Sequence, residues 1–359
     1  MPLRPRKPGS KTGAERSRRA GAAAKAVAAS RKALKARKTV DRLAATDAEF
    51  SEGSSKPSLE NVRNRLADGR AAGRAALERA RTRTREAVRR EPAGAPTKGS
   101  LHLSLLRTPS VPIAVDAMPR EIRVATYNVH RWSGVNGRGK PDAARAAFVI
   151  SELDADVVAL QEVLRPLTGE DPLEMLSDAL GLHLAFAVTR QHKRGQLGNA
   201  ILSRYPISGL SVLDISHSRI ERRGALCARF SSTPGAPGLA IIATHLSLVD
   251  RTRHRQVQSL LDHPELASGA AVLLGDMNAW RKCKASRELD ETLERHHNRA
   301  WPASFPAPRP VLALDRIYAR GADVIDVQTH TSAASKRASD HLPVVARVAL
   351  KDKNLADAT

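Results

Sequence analysis

Nine polar side chains define the chemistry open to this sequence. Asn128 follows the alternating segment Ile122–Tyr127, Gln161 and Glu162 follow the apolar run Val157–Leu160, and His245 follows Ala240–Thr244. Asp276 and Asn278 come after Ala271–Leu274, Asp315 lies within Leu312–Tyr318, and Asp340 and His341 precede Leu342–Val348. Singly, an Asp or Asn behind a strand is a turn former or a helix cap. Two His, two Asn, one Glu and three Asp at strand ends exceed what turns and caps require. Together these donors suit the handling of a metal ion or a phosphate.

The segments that must position them are short and apolar. Periodicity predicts strands at Ile122–Tyr127, Val157–Leu160, Ala200–Leu202, Leu226–Phe230, Leu239–Ala243, Ala271–Leu274, Leu312–Tyr318 and Leu342–Val348. Helical spacing marks Ala143–Leu153, Leu173–Leu180 and Arg253–Leu261, the last with Val257, Leu260 and Leu261 on one face. The run Arg251, Arg253, His254, Arg255 predicts a solvated helical face. Short strands with interspersed helices point to one α/β domain with a large core.

Charge separates this domain from what precedes it. The 359 residues hold 59 Lys and Arg against 37 Asp and Glu, a net charge of +22. Residues 1–117 carry 27 basic and 11 acidic side chains, leaving only +6 for the remainder. Phe50 is the one aromatic in that first part, which is too poor in apolar side chains to offset the cost of ordering its backbone. The expected organisation is a disordered or loosely helical basic extension over 1–117, a catalytic domain over 118–350 and a tail over 351–359. The extension is either a counter-ion for nucleic acid or anionic lipid, or a solvated tail without a partner. A start at Met118 would leave it untranslated.

Two cysteines, Cys227 and Cys283, exclude a disulfide framework, a four-cysteine zinc site and an iron–sulfur cluster. No apolar run approaches the roughly 20 residues that span a bilayer. Lys25 and Arg31 interrupt the Ala-rich stretch, so no secretory leader is expected. A cytoplasmic monomer is the expectation.

Seven motifs appear in a telling order: Thr126-Tyr-Asn128, Leu160-Gln-Glu162, Gly198-Asn-Ala-Ile-Leu-Ser203, Thr244-His-Leu246, Gly275-Asp-Met-Asn278, Leu314-Asp-Arg-Ile317 and Ser339-Asp-His341. In this the sequence resembles the endonuclease/exonuclease/phosphatase superfamily, which includes deoxyribonuclease I, abasic-site endonucleases, neutral sphingomyelinases and inositol polyphosphate 5-phosphatases. The resemblance covers roughly residues 120–348. It implies a four-layer α/β sandwich, two mixed β-sheets face to face with helices outside, and an active site at one end of the sheets.

It also implies roles. Hydrolysis of a phosphoester needs a cation on the phosphoryl oxygens, a base for water and stabilisation of the leaving oxygen. Oxygen ligands without cysteine favour Mg2+, with Mn2+ as substitute. By resemblance Glu162 is the principal metal ligand, with Asn128 and Asp340 beside it. Asp276 orients or deprotonates water, Asn278 binds a phosphoryl oxygen, and His341 contacts the phosphate, its imidazole held by Asp315. The base is Asp276 or His341. His245 matches a phosphate ligand and general acid absent from the abasic-site branch, and Asn199 matches the pattern of small bacterial members. Arg222 and Arg223 are either phosphate binders or a surface pair.

The expectation is thus a Mg2+-dependent phosphoric ester hydrolase, a phosphodiesterase acting on nucleic acid or phospholipid. The alternatives are a phosphomonoesterase of the inositol-phosphate type and an inactive nucleic-acid-binding scaffold. Trp132, Trp280 and Trp301 either stack bases or pack the loops.

Overall fold

The apolar runs of the sequence become strands covered on both faces. The computed structural model describes residues 101–113, 118–137, 141–217, 221–232, 238–296 and 300–351. The expectations for the extension up to residue 100 and for the tail from 352 lie outside these residues.

Twelve strands are described: β1 (His102–Arg107), β2 (Glu121–Asn128), β3 (Val157–Arg165), β4 (His183–His192), β5 (Gly195–Ser203), β6 (Ile207–Asp214), β7 (Gly224–Phe230), β8 (Leu239–His245), β9 (Ala271–Asp276), β10 (Asp315–Arg320), β11 (Ala322–Thr329) and β12 (Val344–Leu350). They form a seven-stranded sheet ordered β1-β4-β5-β3-β2-β12-β11 and a five-stranded sheet ordered β10-β9-β8-β7-β6. Each sheet contains one parallel pair, β2–β3 and β8–β9, among antiparallel neighbours. The helices are α1 (Ala143–Glu152), α2 (Pro172–Leu180), α3 (Asp250–Leu261), α4 (Pro264–Ser268), α5 (Lys284–Thr292) and α6 (Ser335–Ala338).

Strand alternation divides the apolar residues among three cores. Val157 and Ala159 of β3 join Leu226, Ala228, Ile241, Ala243, Val272 and Leu274 between the sheets. Val158 and Leu160 face the other way, against Val149 and Ile150 of α1 and Leu173 and Leu176 of α2. Ala240, Ile242, Ala271 and Leu273 meet Val257 and Leu260 of α3 and Leu289 of α5 on the far side of the second sheet. Burial on both faces is why these strands read as apolar runs rather than strict alternation. The result is the expected four-layer sandwich. Local signals start and stop the helices: the Asp142 side chain accepts from Ala144 N at α1, and Pro172 follows the Asp171 cap of α2, which ends at left-handed Gly181.

The structure corrects several boundaries. β3 runs on to Arg165, so Gln161 and Glu162 lie within the strand rather than after it. The segment Leu312–Leu314 is not strand; Leu312 makes an isolated bridge with Phe305, and Asp315 is the first residue of β10. β4, β6 and β11 carry no run that the sequence reading singled out. β1 falls inside the expected extension, where it pairs antiparallel with β4, so the sheet begins before Met118. Arg253 is fully buried rather than solvated, because its guanidinium donates to Ser247 O (2.7 Å) and to Asp250. It thereby ties the chain just beyond β8 to α3.

Candidate active site

Three site residues stand side by side across the five-stranded sheet. His245, last in β8, pairs in parallel register with Asp276, last in β9, and Asp276 pairs in antiparallel register with Asp315, first in β10. Gly275 permits the close approach of β8 and β9, since a Cβ there would lie 1.9 Å from Thr244 O. The other sheet ends at the same place, because Asn128 and Gln161 terminate the β2–β3 pairing.

Asp276 Oδ2 is the meeting point. Asn128 Nδ2 donates to it at 3.2 Å, His245 Nε2 lies at 3.3 Å and His341 Nε2 at 3.7 Å. Asp276 Oδ1 accepts from Asn278 N at 3.0 Å, which holds the carboxylate plane. Behind His341, Nδ1–H donates to Asp315 Oδ2 at 2.8 Å, and Ser304 Oγ donates to the same oxygen at 2.6 Å. The Phe305 ring packs against the imidazole with centroids 5.0 Å apart.

Burial and neighbouring charge set the protons. Burial works against a charged His341, but Asp315 and Asp276 outweigh it and raise its pKa to about 10. Burial, with Asp315 adding to it, raises Asp276 to about 7. His245 is driven well below its ordinary value by burial and by the nearby Arg223, so it is neutral and offers a single N–H.

Glu162 is displayed by a bulge. The β3–β5 register shifts between Leu160 and Val163, and Glu162 adopts φ 53°. A bulge re-aims a side chain out of the ladder, and left-handed backbone at a non-glycine residue is held only where the surroundings enforce it. Burial alone would raise Glu162, yet Arg131, His245, His130 and Arg223 hold its pKa far below the usual carboxylate range. Its Oε2 is buried without a hydrogen-bond partner and lies 3.6 Å from Arg131 Nε. Asp340 Oδ1 is 3.1 Å from His130 Nδ1.

An ionised carboxylate with an orphaned buried oxygen, flanked by Asn128 and Asp340, fits a hard divalent cation. Asp276, Asp315 and His341 also gather donor atoms within 4.8 Å of one another. Within that cluster His341 Nδ1 and Asp315 Oδ2 are already joined by the 2.8 Å hydrogen bond.

The remaining expected residues divide. Asn278, at φ 49°, donates through Nδ2 to Leu246 O at 2.9 Å and so stays locked beside Asp276. Asn199 sits on β5 opposite the bulge and donates to Gly224 O of β7 at 2.9 Å, linking the sheets. Arg223 bonds Glu221 at 2.8 Å and acts on both Glu162 and His245. Arg222 pairs instead with Asp214 of β6 at 3.5 Å. Trp132 is a packing residue, buried with its Nε1 donating to Leu164 O at 2.8 Å. Trp301 packs edge-on to Tyr318, and Trp280 packs against the Phe305–Leu312–Leu314 cluster.

Three site neighbours were given no individual role from the sequence: His130, Arg131 and Arg190. The first two follow Asn128 by two and three residues, and that adjacency was their only signal. Cys227 is buried with its thiol raised to about 11, and Cys283 is lowered despite partial burial by Ser286 and Arg253.

The sequence pattern of the Endonuclease/Exonuclease/phosphatase family matches residues 125–341. Uncharacterized protein YbhP of Escherichia coli (strain K12) is 32% identical over 247 residues, covering 64% of this chain and 96% of that protein. The crystal structure of an endonuclease/exonuclease/phosphatase from Beutenbergia cavernae DSM 12333 is similar at 26% identity and a TM-score of 0.52, over 65% of this chain and 72% of its own. The mannosyl-6-phosphatase Bt3783 of Bacteroides thetaiotaomicron VPI-5482 shares the fold at 18% identity and a TM-score of 0.52, over 64% of this chain and all of its own. No helix among the described residues is long and apolar enough to cross a membrane.

Proposed function

The chain belongs to the Endonuclease/Exonuclease/phosphatase family of phosphoester hydrolases, generally dependent on a divalent metal, and from that premise we propose that it is a Mg2+-dependent phosphodiesterase. The observation that carries this reading is the convergence of Asn128, His245 and His341 on one oxygen of Asp276 beside the orphaned Glu162 oxygen. A scaffold has no use for buried, unsatisfied carboxylate oxygens, whose retention costs stability.

Glu162, Asn128 and Asp340 would hold the ion. When bound, it supplies positive charge to the phosphoryl and departing oxygens. Asp276 takes the base role in preference to His341, whose imidazole already carries the proton that Asp315 stabilises. The carboxylate accepts a proton from water as the water oxygen attacks phosphorus opposite the leaving oxygen. His341 and neutral His245 direct N–H groups at the charge growing on the phosphoryl oxygens, within a buried setting that strengthens such bonds. Asn278 adds its second amide hydrogen.

The test is an assay of the chain with Mg2+ on bis-p-nitrophenyl phosphate, plasmid DNA, sphingomyelin and an inositol phosphate. EDTA is expected to abolish hydrolysis of the diesters, and Mg2+ or Mn2+ to restore it. Hydrolysis indifferent to EDTA, or confined to the monoester, contradicts the reading.

A further inference from the structure

The hairpin joining β4 to β5 carries Arg190, His192, Lys193 and Arg194 within five residues. Its register places it beyond the site: Asn199 of β5 lies across from the Glu162 bulge, and Gly195 pairs with His192 four residues nearer the tip. Arg190 lies within electrostatic reach of Glu162, Arg131, Arg223 and His245. Arg131, Lys193 and Arg194 all act on His192. Among the described residues, Arg190, Lys193 and Arg194 form no ion pair.

Two nearer arginines are also incompletely satisfied. The Nε–H groups of Arg131 and Arg223 are buried without an acceptor, although each residue has one carboxylate neighbour. Donors left in this state call for an acceptor from outside the chain. Among the described residues, the cations Arg131, Arg190, Lys193, Arg194 and Arg223 outnumber the carboxylates Glu162, Glu221 and Asp340 around them, and an ion on Glu162 would widen the excess. One phosphodiester carries a single negative charge and cannot balance it.

We propose that Arg190 and Arg223, backed by Lys193 and Arg194 of the hairpin, form a second anion subsite that receives a phosphate neighbouring the scissile one. The substrate class is therefore a phosphoester bearing an adjacent phosphate. This rests on the hydrolase reading above. Paired, charge-assisted contacts of arginine with phosphate supply the recognition.

Arg190 is exposed, so its replacement spares the core. The experiment measures kcat/KM for a thymidine dinucleotide with and without a 5′-phosphate, and for an inositol bisphosphate against the monophosphate. Each pair is assayed with the natural chain, Arg190→Ala and Arg194→Ala. A preference of about tenfold for the extra phosphate in either pair, falling toward unity in Arg190→Ala, supports the subsite. The pair showing it identifies the source as a nucleic-acid backbone or a soluble polyphosphate. A preference that is absent, or unchanged by the substitutions, overturns it. Should no substrate turn over, the hydrolase reading fails by itself, and calorimetry on the metal-free chain still tests the subsite. Tighter binding of pyrophosphate than orthophosphate, lost in Arg190→Ala, supports it; equal binding of the two overturns it.

Discussion

The two sheets bring unlike halves to one site. Both use the same device, a single parallel pair whose strands end together, so Asn128 meets Gln161 at the end of one sheet and His245 meets Asp276 at the end of the other. The five-stranded half keeps its ladder in register across β8, β9 and β10, and His245, Asp276 and Asp315 are buried there in a row. The seven-stranded half breaks its ladder at Glu162, whose side chain stays 23% exposed with an unpartnered oxygen. One half keeps its side chains buried; the other leaves Glu162 partly exposed. His341 crosses between them, carried by the loop before β12 but bonded to Asp315 of β10.

Substitutions on the buried half test whether protons are handled there. Asp276→Asn removes the acceptor for water's proton and is expected to lower kcat by about 10³-fold, in the middle of the range of general-base effects. A loss confined to KM would show that Asp276 only binds. His341→Ala and Asp315→Asn should each cost roughly 10²-fold in kcat, and the double variant little more than His341→Ala, because the pair acts as a unit. Multiplicative losses would separate the two residues.

The link between the halves has its own cost. Asn199→Leu takes from Gly224 O its 2.9 Å donor, leaving it only Thr244 Oγ1 at 3.5 Å, and should destabilise the domain by about 1–3 kcal/mol in denaturant unfolding. An unchanged midpoint would mean the sheets are held by apolar packing alone.

A smaller effect concerns pH. With its pKa raised from 6.5 to about 10 in the folded state, His341 contributes stability that is full below 6.5 and lost as pH rises through 10. The stability gap between the natural chain and His341→Asn should therefore be widest in mild acid and close toward pH 10. A gap that widens with pH would show that His341 is buried neutral.

Much of this site is legible in the residue order, for a physical reason. Strands buried on both faces appear as apolar runs, so the first polar residue after a run marks a strand end. Asn128, His245 and Asp276 were found that way. Glu162 was found too, yet its bulge was not, since a register shift depends on the partner strand β5 rather than on local composition. β1 was missed because its burial is partial and its pairing partner lies about 80 residues away, with Leu106 opposite Ala185. Arg253 and Arg190 show the same limit from opposite sides. Arg253 read as a surface cation and Arg190 carried no assigned role, and only long-range contacts bury one behind β8 and bring the other toward Glu162.

The division between halves is tested most directly by titrating Mg2+ and pH on two variants side by side, Glu162→Gln and Asp315→Asn. Glu162→Gln should raise the Mg2+ concentration for half-maximal diester hydrolysis at least tenfold, roughly the effect of weakening a metal shell, and leave the shape of the pH profile unchanged. Asp315→Asn should alter the pH profile at an unchanged Mg2+ requirement. Both variants moving both quantities together would contradict the account.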